Sequence, residues 1–184
     1  MKVLILFGSP HENGYTSLLL NHFLEFLPSC EIVKIDAYKE NVAPCIDCGK
    51  CKKIGKCVFS DMNKINEYID SSDFIIIASP IYNASFPAPL KSIFDRFQPY
   101  YFSRYISKPK KKKVLTLFTQ GTEKTDYEKI IFPQIFPIIK IIGGEICGNL
   151  ILKGTDNKKL DIDKCYIKSE NIIKVIINNL NSIS

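Results

Sequence analysis

The sequence predicts an α/β protein built on a parallel sheet with helices on both faces. Three observations predict it. Short apolar runs at Lys2–Phe7, Asp73–Pro80 and Lys113–Thr119 are each closed by glycine, proline or hydroxylated residues, as strands buried on both faces are. Between such runs lie stretches with apolar residues at helical spacing, the crossovers that parallel strands require. The alternation continues to the end of the chain without an internal repeat or a low-complexity linker.

Taken in order, Lys2–Phe7 reads as a central strand that stops at Gly8-Ser9-Pro10. From Thr16, with Thr16 or Tyr15 near the cap, Leu18, Leu19, Leu20, Phe23, Leu24, Phe26 and Leu27 recur at helical spacing until Pro28. Glu31–Ala37 mixes Ile32, Val33 and Ile35 with charge, which suits an edge strand. Residues 41–60 interrupt the expected step into a helix and read as a loop insertion, after which Asp61 is a candidate cap for a helix carrying Met62, Ile65, Tyr68 and Ile69. Asp73–Pro80 is the next strand, followed by a helix over about Pro89–Phe97 with proline at its start. Lys113–Thr119 is the fourth strand. In Tyr127–Ile142, Pro133 and Pro137 each remove a backbone donor, so helix is expected there only in pieces. Gly144–Leu152 is the fifth strand, and Asp163–Leu180 a last amphipathic helix with Ile167, Ile172, Ile173, Val175, Ile176 and Leu180 apolar.

A length of 184 residues with 46% hydrophobic content suits one compact domain, residues 1–184, carrying the insertion at about 41–60. Met1–Phe7 ends at a glycine turn and is unlike a signal peptide, and Ile130–Ile142, with two prolines, Gln134 and Lys140, falls short of the roughly 20 apolar residues that span a bilayer. A cytoplasmic protein without membrane or nucleic-acid partners is expected. The net charge of +6 is modest, and five lysines sit together in Lys108-Pro-Lys-Lys-Lys-Lys113, read as a solvated start to the fourth strand. Ile130–Ile142 reads as core or, preferably, as a contact between subunits, which makes a homodimer or homotetramer the expected state. His22 reads as a structural helix residue, and Cys30, Cys147 and Cys165 as small buried hydrophobes.

Two features carry chemistry. The first is a set of loops at successive strand ends. Gly8-Ser9-Pro10-His11-Glu12-Asn13-Gly14-Tyr15-Thr16-Ser17 runs into a helix N-terminus, where free backbone donors and hydroxyls suit a phosphate. It lacks both Gly-x-Gly-x-x-Gly and Gly-Lys-Ser/Thr, which leaves a neutral cradle for a monophosphate. Ser79-Pro80-Ile81-Tyr82-Asn83-Ala84-Ser85-Phe86-Pro87 offers an aromatic against which a planar heterocycle could lie, and Thr119-Gln120-Gly121-Thr122 is short and polar. The second feature is Cys45-x2-Cys48-x2-Cys51-x5-Cys57, four of the seven cysteines in one loop. Cys-x2-Cys-x2-Cys matches the start of ferredoxin motifs, and spacing alone leaves the role of Cys57 open. An iron-sulfur cluster, a zinc tetrathiolate and a metal-free lid are the three readings of that array.

The segments Gly8-Ser-Pro-x-x-Asn-Gly-x-Thr16, Ser79-Pro-Ile-Tyr82, Pro87-Ala-Pro-Leu-Lys91 with Asp95-Arg96, and the cysteine array followed by Asp61-Met62 resemble the NAD(P)H-dependent FMN reductases of flavodoxin-like fold. Within that superfamily the array most resembles the iron-sulfur flavoproteins, and the likeness covers about residues 1–121. The resemblance implies a doubly wound five-stranded parallel sheet of order 2-1-3-4-5 and an FMN-dependent oxidoreductase. Ser9, His11, Asn13, Tyr15, Thr16 and Ser17 would then enclose the FMN phosphate. Pro80, Ile81, Tyr82, Asn83, Ala84 and Ser85 would line the isoalloxazine, and Thr119, Gln120 and Gly121 would close its other edge. Cys45, Cys48, Cys51 and Cys57 would hold one 4Fe-4S cluster, its charge tempered by Lys50, Lys52, Lys53 and Lys56. The chain departs from the family at His11, where Arg or Lys is usual, and at Tyr15, where Asn is. No side chain is assigned to catalysis, since the flavin carries the chemistry. NAD(P)H is the expected donor, with a small molecule or a redox protein, such as a ferredoxin-like donor, as partner. A clusterless FMN or quinone reductase, a flavodoxin-like carrier and a zinc-stabilised module are the alternatives.

Overall fold

The computed structural model of the chain describes residues 1–103, 108–157 and 160–181. Among them, β1 (Lys2–Phe7), β2 (Glu31–Asp36), β3 (Phe74–Pro80), β4 (Lys112–Gln120) and β5 (Gly144–Lys153) form one sheet in the order β2-β1-β3-β4-β5. Every neighbouring pair is parallel. Alternate residues of the inner strands face opposite sides. Leu4, Leu6, Ile75 and Ile77 pack with α3 (Asn63–Ser71), α4 (Ala88–Asp95) and α6 (Glu128–Ile141), while Val3, Ile5, Phe7, Phe74 and Ile76 pack with α1 (Tyr15–Leu24) and α7 (Ile162–Asn181). The continuous apolar runs are therefore buried on both faces, as their composition requires. The order reverses direction between β1 and β3, so their carboxyl ends open a crevice where folds of this kind seat a ligand.

Several elements differ from the sequence expectation. α6 is one continuous helix, with Ile131, Ile135 and Ile139 fully buried along one face and Pro133 and Pro137 both exposed. The carbonyls that lose donors to the prolines lie on the wet side of the helix, where water replaces the missing bonds, so the helix does not break. That settles Ile131, Ile135, Ile139 and Ile142 as core, with Ile130 and Phe136 exposed. Residues 41–60 are not wholly loop. A short helix, α2 (Lys50–Ile54), lies within them, flanked by Gly49 at φ 70° and Gly55 at φ 68°. Side chains other than glycine rarely adopt such angles, and the two glycines reverse the chain before and after Cys51. A further short helix, α5 (Gln98–Ser103), follows α4. Asp61 does not cap α3. Its carboxylate instead accepts from Ala43 N (3.0 Å) and from Arg96.

The lysine run is largely structural. Lys112 is 3% exposed and donates to Ile69 O (2.6 Å), Lys110 donates to Ser71 O (3.1 Å) and Asp73, and Lys113 pairs with Glu145. Lys110 and Lys112 thus satisfy carbonyls in the last turn of α3, where intrahelical donors run out. His22 is buried and stacks on Tyr166 at 4.0 Å. Cys30, Cys147 and Cys165 are half-buried against the α1/α7 core, and burial pushes the Cys147 thiol up to about 11. On α7, Ile173 and Ile176 are buried while Ile172 and Val175 are exposed, and the side chain of Ile167 lies outside the described residues. Among the described residues no helix is long and apolar enough to cross a membrane.

Candidate functional site

The loop after β1 is folded by its own hydroxyls. Ser9 Oγ accepts from His11 N (3.2 Å) and Ser17 Oγ donates to His11 O (3.2 Å), with both serines buried. These hydroxyls shape the loop, while His11, Glu12 and Asn13 are exposed along it and Tyr15 is half-buried. α1 starts at Gly14 with no side-chain cap, and its first intrahelical bond runs from Leu18 N to Gly14 O. The amides of Tyr15, Thr16 and Ser17 therefore lack intrahelical acceptors, which is the arrangement that binds an anion. Thr16 Oγ1 and Thr119 Oγ1 share a buried hydrogen bond of 2.8 Å, tying this helix start to the end of β4.

Gly8 lets β1 and α4 come together. A Cβ there would lie 2.6 Å from Leu90 Cδ2 and 2.9 Å from Ser79 Oγ, well inside contact distance. Beside it, Ile81 N donates to Thr119 O (2.8 Å), which draws the loop after β3 to the end of β4. Tyr82 and Ser85 then exchange two backbone bonds of 3.0 and 2.9 Å around Asn83 and Ala84, both left-handed at φ 50° and 58°. Gln134 of α6 fastens this tight turn, accepting from Ser85 Oγ (3.2 Å) and donating to Ala84 O (3.3 Å). Tyr82 stands 42% exposed above it.

At the end of β4, the buried Gln120 donates through Nε2 to Thr122 O (2.6 Å) and Thr125 O (2.8 Å). Two carbonyl acceptors fix which end of the amide is nitrogen, and Oε1 is left as a buried acceptor with no partner among the described residues. Asp156 from the loop after β5 lies so close to Gly121 that a Cβ would fall 2.1 Å from its Oδ2. The structure thus draws Ser9, Thr16, Ser17, Ile81, Thr119 and Gln120 into one rim, with Tyr82–Ser85 beside it.

The insertion after β2 borders the same rim. Lys39, just past β2, pairs with Glu12 of the β1 loop, and this contact lowers the pKa of Glu12 and raises that of Lys39. Partial burial and, second to it, the charge of the Tyr82 phenol raise the pKa of Tyr38. Sequence reasoning missed Tyr38 and Lys39. Their position directly after a strand end was the available signal.

Cys45, Cys48, Cys51 and Cys57 line a single small recess of about 30 Å³, partly open to solvent, together with Arg96, Phe59 and residues of α5. All four are free thiols. Burial raises the pKa of Cys51, with Cys45 and Cys48 adding to the effect through their charge. Among the described residues no three His, Cys, Asp or Glu side chains are grouped so as to hold one metal ion. The four cysteines thus share a recess without converging on one point. None of the β1, β3 or β4 loop residues named above lines that recess, so the rim carries two separate candidate sites.

The recess is anchored by Arg96, which sequence reasoning noted only as part of a motif. Its side chain is 1% exposed. Nη1 donates to Ala43 O (2.7 Å) and Asp61 Oδ2 (3.1 Å), and Nη2 to Asp61 Oδ1. The Phe59 ring lies 5.0 Å from the guanidinium carbon. One buried cation therefore clamps residues 43 and 61, the two ends of the cysteine segment. Burial works against the charge of Arg96, but Asp61 and Cys57 outweigh it and raise its pKa.

A parallel sheet of this order with a ligand rim across β1, β3 and β4 defines a flavodoxin-like protein. The chain belongs to the NADPH-dependent FMN reductase family, whose model matches residues 1–125. An iron-sulfur flavoprotein of Archaeoglobus fulgidus is 33% identical over 103 residues, 54% of this chain and 47% of that protein. One of Clostridioides difficile is 27% identical over 187 residues, 96% of this chain and 78% of that protein. The matched part spans about half the length of the first of these relatives. Among solved structures, the NAD(P)H:quinone oxidoreductase of Methanothermobacter marburgensis superposes over 100% of this chain and 96% of its own, with a TM-score of 0.75 at 20% identity.

Proposed function

We propose that this chain is an FMN-dependent oxidoreductase of the NAD(P)H-using kind, with a 4Fe-4S cluster held by Cys45, Cys48, Cys51 and Cys57 beside the flavin site. The observation that carries the reading is that these four cysteines line one recess on the strand-end rim that also carries the phosphate-type loop. The names of the Archaeoglobus fulgidus and Clostridioides difficile relatives support it.

The residues present fit both groups. For FMN, the unpartnered amides at the start of α1 suit a phosphate, and the buried Gln120 Oε1 suits a ring N–H. For a cluster, the four thiols that line one recess supply the four sulfur ligands such a group uses. When bound, FMN supplies two-electron uptake with one-electron release, and the cluster supplies a one-electron store. The chain's part is to hold and insulate. Tyr15, Thr16 and Ser17 grip the phosphate through their amides, Tyr82 and the Asn83–Ala84 turn offer a face to a flat ring, and Thr119–Gly121 close its far edge. Lys50, Lys52, Lys53 and Lys56 are all exposed and surround the cysteines with positive charge, opposing the charge of a thiolate cluster. The redox partner is a small molecule or a redox protein.

Anaerobic purification tests the reading. Flavin absorption, a broad shoulder that bleaches with dithionite, and iron with sulfide are expected. Flavin without iron would leave the second reading, a clusterless FMN or quinone reductase, which the family description of residues 1–125 favours. Zinc without flavin would sink both.

A further inference from the structure

Arg96 holds a donor that nothing in the clamp uses. Its two Nη groups are occupied by Asp61 and Ala43, yet Nε is buried and has no acceptor among the described residues. The residue as a whole is 2% exposed. A buried N–H without a partner is destabilising. An acceptor for it comes from outside the chain, as a water, an ion or a bound group. Arg96 is part of the wall of the cysteine recess, and the remainder of that wall offers few hard acceptors. Ile46, Phe59, Pro99 and Phe102 are apolar there, Asp47 and Gln98 carry the only side-chain oxygens among the lining residues, neither of them bonded to Nε, and the four cysteines contribute sulfur. The Cys57 sulfur lines the same recess as the guanidinium and helps to raise its pKa.

We propose that Arg96 is a positioning residue for the sulfur-ligated group in this recess, its Nε–H donating to a sulfur of that group and its fixed charge favouring the reduced state. The inference rests on the cluster reading above. Its physical basis is charge. Uptake of one electron adds one negative charge to the cluster, and a guanidinium stays protonated at every working pH. The Arg96 side chain itself is buried, so on its side of the recess the attraction is less screened than at the open surface. Hydrogen bonds to the sulfurs and net charge are the levers by which proteins set cluster potentials. The exposed lysines of the segment lie in solvent and act more weakly.

Two measurements test this, after an iron count on the wild-type protein. The first uses protein labelled with 15N-arginine in an Arg104→Lys background, so that Arg96 is the one labelled side chain. Pulsed electron paramagnetic resonance of the dithionite-reduced cluster should show coupling to a 15N nucleus, and its absence would overturn the proposal. The second is a redox titration of Arg96→Lys, which keeps a cation but has no Nε–H at that place. The cluster should become at least tenfold harder to reduce, a shift of about 59 mV to more negative potential for one electron, with the flavin potential as internal reference. An unchanged cluster potential would refute the proposal. Should Arg96→Lys fail to hold iron, the labelled protein decides alone. Absence of iron in the wild-type protein would remove the cluster reading and this inference together, whereas iron without arginine coupling removes the inference only.

Discussion

The Asp61–Arg96 pair makes a prediction about how the cysteine segment is held. Asp61→Asn replaces the carboxylate by an amide of the same size, removes the negative charge facing a guanidinium that is 1% exposed, and turns an NH2 group toward existing N–H donors. Breaking a buried ion pair by removing one partner costs about 3–5 kcal/mol. Two features here lower that figure. Asp61 itself is 26% exposed, so water partly screens the pair, and Ala43 O remains as an acceptor for Arg96. A loss of about 2–3 kcal/mol is expected. The carboxylate also accepts from Ala43 N, so the loss should be concentrated in the segment between residues 43 and 61 and leave the sheet intact. Urea unfolding followed by circular dichroism measures the global part, and the rate at which Cys51 and Cys57, both half-buried, react with a thiol reagent measures the local part. The thiols should react at least tenfold faster in the variant. Unchanged thiol rates together with an unchanged unfolding midpoint would refute the view that this pair clamps the segment.

Two further outcomes follow from individual positions. Ala84 sits at φ 58°, where a Cβ costs roughly 1–2 kcal/mol, so Ala84→Gly should raise stability by up to about 1 kcal/mol after the glycine's greater unfolded-state entropy is allowed for; a lower melting temperature would count against strain at this turn. Lys112 is pulled down from 10.5 to about 8, chiefly by burial and further by Lys110, with Asp70 opposing. Its native pKa is depressed, so between about pH 8 and 10.5 the unfolded chain binds a proton the folded chain has lost, and stability rises with pH across that window by about 3 kcal/mol. Lys112→Met should abolish that rise, and urea midpoints at pH 7 and 10 that change equally in both proteins would rule the mechanism out.

The sheet was legible because buried parallel strands leave a mark that survives without context. Val3–Phe7 and Phe74–Ala78 are uninterrupted apolar runs of β-forming residues closed by turn residues, the mark of a strand covered on both faces. Helix interruptions were less legible. Pro133 and Pro137 are breakers by local rule, but whether a lost bond matters depends on whether the freed carbonyl meets water, and that is set by which face packs on the sheet. The rim residues were found by type and by their place after strands, yet their tasks were not. Ser9 and Ser17 carry the hydroxyls expected of a phosphate loop and spend them on His11. Arg96 and Gln134 were beyond reach because each acts on a loop distant in sequence, at separations of 53 residues to Ala43 and 50 to Ala84. Composition carries no trace of such pairings.

The two candidate sites are built with different degrees of independence, and this bears on how the cysteine segment can vary. The β1, β3 and β4 loops share backbone bonds and the buried Thr16–Thr119 contact, so a change in one is felt in the others. The cysteine segment joins them through the Lys39–Glu12 pair at its start, which is exposed, while its own ends are fastened to each other by Arg96. A segment closed on itself in this way can open, or lose its sulfurs, without loosening the rim next to it. Cys48→Ala should on this ground lose iron and retain flavin, because no backbone bond of the flavin loops passes through the recess. Loss of both together would mean that the segment and the rim fold as one unit and that the clamp does not isolate them.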